Sequence, residues 1–249
     1  MHPVLFSWGP ITLYTYGLMI ALGVVVSILF LRHRGASNGF DVDTVTDCAV
    51  FSVLSGIVGA RVGYVIQEWS VFKLDPLSMF QIWKGGLAFY GGVAGALLFF
   101  YIFCRVNKIP FLRMADLFVP FLALAHAFGR IGCFLNGCCF GKPTTLACGV
   151  RFPGGTETLH PVQLYAFVFL VALFFILSWI YRHRRFDGQV FLMYFILYPI
   201  GRFFLEFLRG DEARFVFGLR LFQAVSIVII LVTLAVYIII SRRVLKKGS

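Results

Sequence analysis

The chain has 249 residues, 60% of them hydrophobic and only 13% charged, where soluble domains run at about 45 to 50% apolar and about 25% charged. Thirty Phe and several uncharged runs long enough to cross a bilayer exclude a soluble enzyme and a disordered chain. A formal charge of +11 would suggest nucleic acid in a soluble protein, but in a membrane protein basic residues set orientation and meet anionic lipid head groups, so no nucleic-acid partner is expected.

A hydrocarbon core of about 30 Å takes roughly 20 helical residues per crossing. Seven segments qualify: about 11–31, 46–67, 85–104, 114–134, 161–181, 188–208 and 221–241. The expected fold is therefore an all-α integral membrane bundle of about seven transmembrane helices. The first has no charge between His2 and Arg32 and reads as a retained anchor in place of a cleaved signal peptide. Alternate loops hold twelve Lys and Arg against seven on the opposite side, which predicts an external N-terminus and a cytoplasmic C-terminus. No repeat or composition boundary divides the chain. Residues 1–249 read as one polytopic domain with a polar, Gly-rich external loop at about 135–160.

Small residues recur four apart at Ser52 and Gly56, Gly59 and Gly63, and Gly91 and Gly95, a spacing that lets membrane helices approach closely. Trp8, Trp69 and Trp83 read as interfacial anchors.

A charge at mid-bilayer costs about 2.5 to 3.5 kcal/mol on insertion scales, so each one needs a reason. Arg61 falls near the outer end of the second predicted helix, Arg130 near the outer end of the fourth, and Arg202 with Glu206 in the outer third of the sixth. Tyr16, Tyr90 and His160 stand at the outer starts of the first, third and fifth, and the inner halves show nothing comparable. Tyr198, Arg202 and Glu206 are spaced four apart and form one stripe, with Arg209 following on nearly the same face.

Taken singly, each Arg can snorkel or pair structurally. Three converging on one rim repel one another unless an anion sits between them, and a guanidinium fork matches phosphate oxygens. The commonest anion at that depth is a phospholipid head group, so the pattern predicts a lipid-phosphate pocket near the outer leaflet. His126, one turn before Arg130, reads as a packing residue; His160 and Pro161 read as a helix start; Gln163 and Tyr165 are placed to meet a head group.

Residues 129–141, GRIGCFLNGCCFG, resemble the signature of prolipoprotein diacylglyceryl transferases, in which Gly-Arg is followed by Asn-Phe-x-Asn-Gly-Glu and a closing Gly. TYGLMIALG from Thr15, GARVGY from Gly59, WKGGLAFYGG from Trp83, HPVQLY from His160 and YPIGRFFLEFLR from Tyr198 agree in order and spacing, with Gln223 and Ser226 a weaker match. The resemblance covers most of the chain. It implies a multi-pass enzyme of the bacterial inner (plasma) membrane that moves the diacylglyceryl group of phosphatidylglycerol onto the lipobox cysteine of a prolipoprotein. A thioether forms and glycerol 1-phosphate leaves.

The implied partners are phosphatidylglycerol, the signal-peptide and lipobox region of the precursor, and membrane lipids, with no cofactor and no metal. The implied catalytic residues are Arg130, Arg202, Tyr90 and Glu206. The implied substrate-binding residues are Arg130, Arg202, Tyr16, Arg61, Asn136, Gly141, Tyr198 and Arg209. Three positions depart from the pattern: Cys133 stands where the signature usually has Asn, Cys138 where it has Glu, and Tyr90 where many members have the His of His-Gly-Gly.

Alkylating sulfur needs a thiolate, and a thiol of pKa about 8.5 is only a few per cent ionised at neutral pH. Glu206 reads equally as proton acceptor and as a clamp on Arg202; a phosphate oxygen of the lipid is a third acceptor. Two rival readings remain at this level. Cys133, Cys138, Cys139 and Cys148 would serve a membrane thiol oxidoreductase or metal-binding protein, and the same arginines would serve a lipid transporter that binds without reaction.

Overall fold

A computed structural model describes residues 3–8, 11–210, 215–216 and 218–248. The side chains of Trp8, Lys84, Lys246 and Lys247 and the whole of Arg214, which enter the sequence reading as an anchor or as charges, lie outside the described residues. Among those described, seven helices are long and apolar enough to span a membrane. They are α1 (Thr15–Ser37), α2 (Val42–Gln67), α3 (Phe89–Val106), α4 (Phe111–Asn136), α5 (Val162–Arg182), α6 (Gln189–Leu208) and α7 (Leu221–Gly248). The protein is an all-helical, multi-pass membrane protein, and each expected span overlaps one of these helices.

The largest difference is at the first span. Ile11–Tyr14, rich in β-branched and aromatic residues, forms strand β2 and pairs antiparallel with β1 (Val4–Trp8), so α1 starts only at Thr15. It then runs on to Ser37, which places Arg32 and Arg34 in its last turns, where cations complement the helix dipole. Two more short antiparallel pairs lie between helices: β3 (Val150–Arg151) with β4 (Thr158–Leu159), and β5 (Phe215–Val216) with β6 (Leu219–Arg220).

By its contacts the chain divides into two compact units, one of Leu31–Met114 and one of Met1–Phe30 with Ala115–Ser249. In the first, α2 and α3 meet backbone to backbone. A Cβ on Gly59 would lie 2.5 Å from the Gly91 carbonyl oxygen and 2.9 Å from the Gly95 Cα, and one on Gly95 would lie 2.5 Å from the Ser55 carbonyl oxygen. The small-residue spacing in the sequence is thus a helix contact too close for any side chain.

The connection between α2 and α3 wraps around Arg61, which is buried in the last turns of α2. Its Nε donates to the Met79 carbonyl (2.8 Å), one terminal nitrogen to Ser78 (2.7 Å), and the other to Gly85 (2.7 Å) and Gly86 (3.1 Å). The guanidinium also lies 5.2 Å from the centre of the Phe72 ring. Gly85 and Gly86 have φ of 83° and 79°, and a Cβ on Gly86 would collide with the Tyr64 ring, so both glycines are required there.

In the larger unit, α4, α5, α6 and α7 pack around Leu117, Leu170, Leu173, Leu177 and Val190. The sequence reading, which saw nothing costly in the inner halves, is corrected by Asp116. It is fully buried near the start of α4, and its two carboxylate oxygens accept from the Gly188 and Phe191 N–H groups, both at 2.8 Å. An acid in one helix thereby caps the start of another, satisfying donors that have no partner within α6.

The α2–α3 contact generates a stability prediction. Gly59→Val inserts a branched side chain where a backbone already sits, and overpacking of this kind typically costs about 1 to 3 kcal/mol. A thermal melt in detergent should show a clear fall in midpoint; an unchanged midpoint would mean that the two helices separate at no cost.

Candidate functional site

The site is built where five chain segments of the larger unit meet: the start of α1, the end of α4, the start of α5, the end of α6 and the start of α7. The end of α4 is set by a Schellman turn. Gly137 adopts φ 72°, its N–H bonds the Phe134 carbonyl at 3.1 Å, and the Cys138 N–H reaches back to the Cys133 carbonyl at 3.2 Å. This turn leaves Arg130 and Cys133 on the last two turns of the helix and folds residues 138–141 back over them.

The returning strand then passes through a gap that only glycine fits. Gly141 donates its N–H to the His160 carbonyl (2.8 Å) and bridges to Arg209, while the Lys142 N–H bonds the Leu208 carbonyl (2.9 Å). A Cβ on Gly141 would lie 2.5 Å from the Leu208 carbonyl oxygen and 2.7 Å from His160 Cβ. Gln163, buried at the start of α5, fixes the same segment by donating to the Cys138 carbonyl at 2.6 Å. The signature stretch is thus tied simultaneously to the start of α5 and the end of α6.

The α6 stripe supplies the charges. Glu206 is buried, and its Oε2 pairs with Arg202 at 2.8 Å and lies 3.9 Å from Arg209 Nε, while its Oε1 lies 3.8 Å from Arg220 on β6. Arg202 also lies 5.0 Å above the Phe222 ring at the start of α7. One carboxylate therefore serves three guanidiniums, and among the described residues none pairs with Arg130. Arg220 was not a candidate from sequence, because it reads as an ordinary loop cation until β6 folds it back beside Glu206. Gln223 holds that fold by accepting from the Arg220 N–H (3.1 Å) and donating to the Phe203 carbonyl (3.4 Å).

Arg130, Arg202 and Arg209 line one narrow cavity of about 10 Å³ together with His126, Cys139, Gln163, Tyr198 and apolar side chains from α5 and α6. His126, expected to be a packing residue, lies 5.6 Å ring to ring from Tyr198, which in turn stacks at 5.4 Å on Tyr194. Gln163 Oε1 is buried without a hydrogen-bond partner, an acceptor available to a hydroxyl in the cavity. Tyr16 lies against Gly132 at the α1–α4 crossing and is part exposed, and Asn136 is exposed at the end of α4.

Two expected site residues are not among these. Arg61 belongs to the smaller unit and directs four of its five N–H donors to carbonyls of its own connection. Tyr90, also in the smaller unit, is 72% exposed and edge-on to Phe89.

Three of the four loop cysteines converge. The sulfurs of Cys133, Cys138 and Cys139 lie within 4.8 Å of one another, while Cys148 pairs with the Tyr165 hydroxyl at 3.2 Å. The Cys139 thiol is pushed down to about 5, first by hydrogen bonding from Cys133 and further by Cys138, Arg209 and Arg130 against the opposing effect of burial.

Comparison with known proteins places the chain in a family. A family profile described as prolipoprotein diacylglyceryl transferase matches residues 3–239. The chain is 37% identical over 242 residues to the phosphatidylglycerol--prolipoprotein diacylglyceryl transferase of Clostridium tetani, covering 95% of this chain and 97% of that protein. It is 38% identical over 242 residues to transferase 2 of Clostridium perfringens, covering 95% and 94%, and 35% identical to the Finegoldia magna transferase over the whole of both chains.

The shared carboxylate generates a second prediction. Glu206→Gln removes the buried carboxylate that pairs with Arg202 and lies beside Arg209 and Arg220, and removing one partner of a buried pair costs about 3 to 5 kcal/mol. The variant should melt lower in neutral or zwitterionic detergent and recover part of the loss when anionic lipid is added. A variant with wild-type stability that loses only turnover would instead mark Glu206 as the proton acceptor.

Proposed function

The chain belongs to the prolipoprotein diacylglyceryl transferase family, and from that premise we propose that its arginine-lined cavity binds the phosphodiester of phosphatidylglycerol and stabilises it as a leaving group. The protein is an enzyme that transfers the diacylglyceryl group to a prolipoprotein thiol. The observation that carries the assignment of the site is the set of three guanidiniums, from Arg130, Arg202 and Arg209, facing one cavity, with Glu206 beside Arg202 and Arg209.

In the reaction the lipobox cysteine gives up its thiol proton to water, and its sulfur forms a bond to the glycerol carbon as that carbon's bond to phosphate oxygen breaks. Negative charge then grows on the departing phosphate. Guanidiniums fixed in a poorly solvated cavity stabilise that charge without reorganising, and Arg keeps its proton where Lys readily loses it. Arg130, with no described carboxylate partner, is the cation free to meet the phosphate directly. Arg202 and Arg209 complete the cradle, and Tyr198 with Gln163 faces the head group.

Glu206 serves as the counter-charge that keeps the arginines together before lipid enters, since both of its oxygens already face guanidinium groups. No proton-transfer role is assigned to Tyr90. Asn136, exposed at the end of α4, and Tyr16, at the start of α1, are proposed to meet the peptide and the lipid backbone.

The excess of Lys and Arg in alternate loops supports an extracytoplasmic position for this end of the helices, in a bacterial plasma membrane. The lipobox cysteine of a secreted precursor lies just beyond its signal helix and would reach the cavity from that side. A thiol oxidoreductase or a passive lipid carrier is not favoured by the family membership.

The test is to incubate the purified protein with phosphatidylglycerol and a lipobox peptide and to detect the thioether product by mass. Wild type should form it, and Arg130→Ala should lower kcat/KM by about 100-fold or more, the scale of losing one preorganised charge-stabilising donor. Arg202→Lys should also be impaired, because a point charge does not reproduce a bidentate fork. Undiminished product from Arg130→Ala would contradict the assignment.

A further inference from the structure

Cys133, Cys138 and Cys139 are brought together by backbone geometry and not by chance packing. Cys133 and Cys138 occupy the two positions whose side chains meet across a Schellman turn, here defined by Gly137 at φ 72° and the hydrogen bond from the Cys138 N–H to the Cys133 carbonyl. Cys139 follows at φ 64°, a left-handed conformation that an ordinary L residue adopts only at a cost. That conformation brings its sulfur to 3.5 Å from that of Cys138. Gln163 holds the Cys138 carbonyl at 2.6 Å, so the arrangement is braced from α5.

The result is three thiols within 4.8 Å of one another. Sulfurs bound to one tetrahedral metal at about 2.3 Å are roughly 3.8 Å apart, so small side-chain rotations would bring all three to a common ion. Three thiolates and a divalent ion leave one negative charge, and Arg130 and Arg209 line the cavity that Cys139 borders.

We propose that Cys133, Cys138 and Cys139 hold one soft divalent cation of the zinc class, with its fourth position opening into the arginine-lined cavity. Three protein ligands and one open position is the pattern of catalytic zinc sites, whereas structural sites are closed by a fourth ligand. Cys148, the remaining loop cysteine, is engaged with Tyr165. The open position suits a substrate thiol, and here the inference rests on the transferase reading. A thiol that coordinates gives up its proton to water. Its sulfur then forms the bond to the glycerol carbon, while the electrons of the breaking C–O bond leave with the phosphate toward the arginines. The sequence departures at Cys133 and Cys138 thereby acquire a common purpose.

The test uses the full-length, reduced protein in detergent, titrated with Zn²⁺ and with Co²⁺ as an optical probe. One equivalent should bind, with thiolate-to-cobalt charge-transfer absorption. Binding should weaken in Cys133→Ser and in Cys139→Ser by more than the 10- to 100-fold that loss of an outer-shell partner costs, and it should be unchanged in Cys148→Ser. A lipobox peptide should shift the cobalt spectrum, and its Cys→Ser counterpart should not. Failure to bind either ion, with all three thiols alkylating at the same rate with or without Zn²⁺, would overturn the site. A fully active protein in which two of the three are joined in a disulfide would overturn it as well. Tight binding with no response to the cysteine peptide would overturn the open position alone. None of these optical results depends on lipid turnover, so the transferase reading stands or falls separately on the mass assay.

Discussion

Positive charge gathered inside an apolar helix bundle is the constraint around which the larger unit is organised. Coulomb repulsion between guanidiniums a few ångströms apart grows as the surroundings lose water, and it must be offset by a buried anion. Glu206 supplies buried negative charge among them. Glu206 answers Arg202, Arg209 and Arg220, and Arg130 faces the same cavity as Arg202 and Arg209 without a described carboxylate partner. A cavity lined by three guanidiniums favours an anionic guest, and the substrate named for this family carries a phosphodiester.

Holding that arrangement requires a rigid frame, and the frame is made of backbone. The Schellman turn after α4, the glycine gap at Gly141 and the bridge from Gly141 to Arg209 fasten the ends of three helices with hydrogen bonds that involve no functional side chain. Asp116 does comparable work far along α4 by capping α6. Hydrogen bonds at both places tie α4, which carries Arg130, to α6, which carries Arg202.

Much of this was legible in the sequence, for definite physical reasons. Hydropathy found the seven helices because a bilayer demands continuous apolar runs. The spacing of Tyr198, Arg202, Glu206 and Arg209 revealed one helical stripe because the period of a helix is fixed. The spacing of Gly59, Gly63, Gly91 and Gly95 marked the contact between α2 and α3. What stayed hidden depends on tertiary folding. Position alone placed Arg61 on the same rim as Arg130, but the carbonyls that occupy it come from residues 78–86, whose path no periodicity reveals. Arg220 looked like a loop cation until β6 turned it toward Glu206. Asp116 escaped notice because its partners are backbone N–H groups over seventy residues away, and the β1–β2 pair was absorbed into an apolar run that suited a helix equally well.

The central claim is that one lipid phosphate sits among the guanidiniums of this cavity, and the most direct measurement is an experimental structure of the protein in phosphatidylglycerol nanodiscs. The account predicts a phosphate in the cavity with its oxygens at about 2.7 to 2.9 Å from the guanidinium nitrogens of Arg130 and Arg202, the separation of charge-assisted hydrogen bonds. Phosphate density elsewhere, with Arg130 turned away to a protein carboxylate, would contradict it.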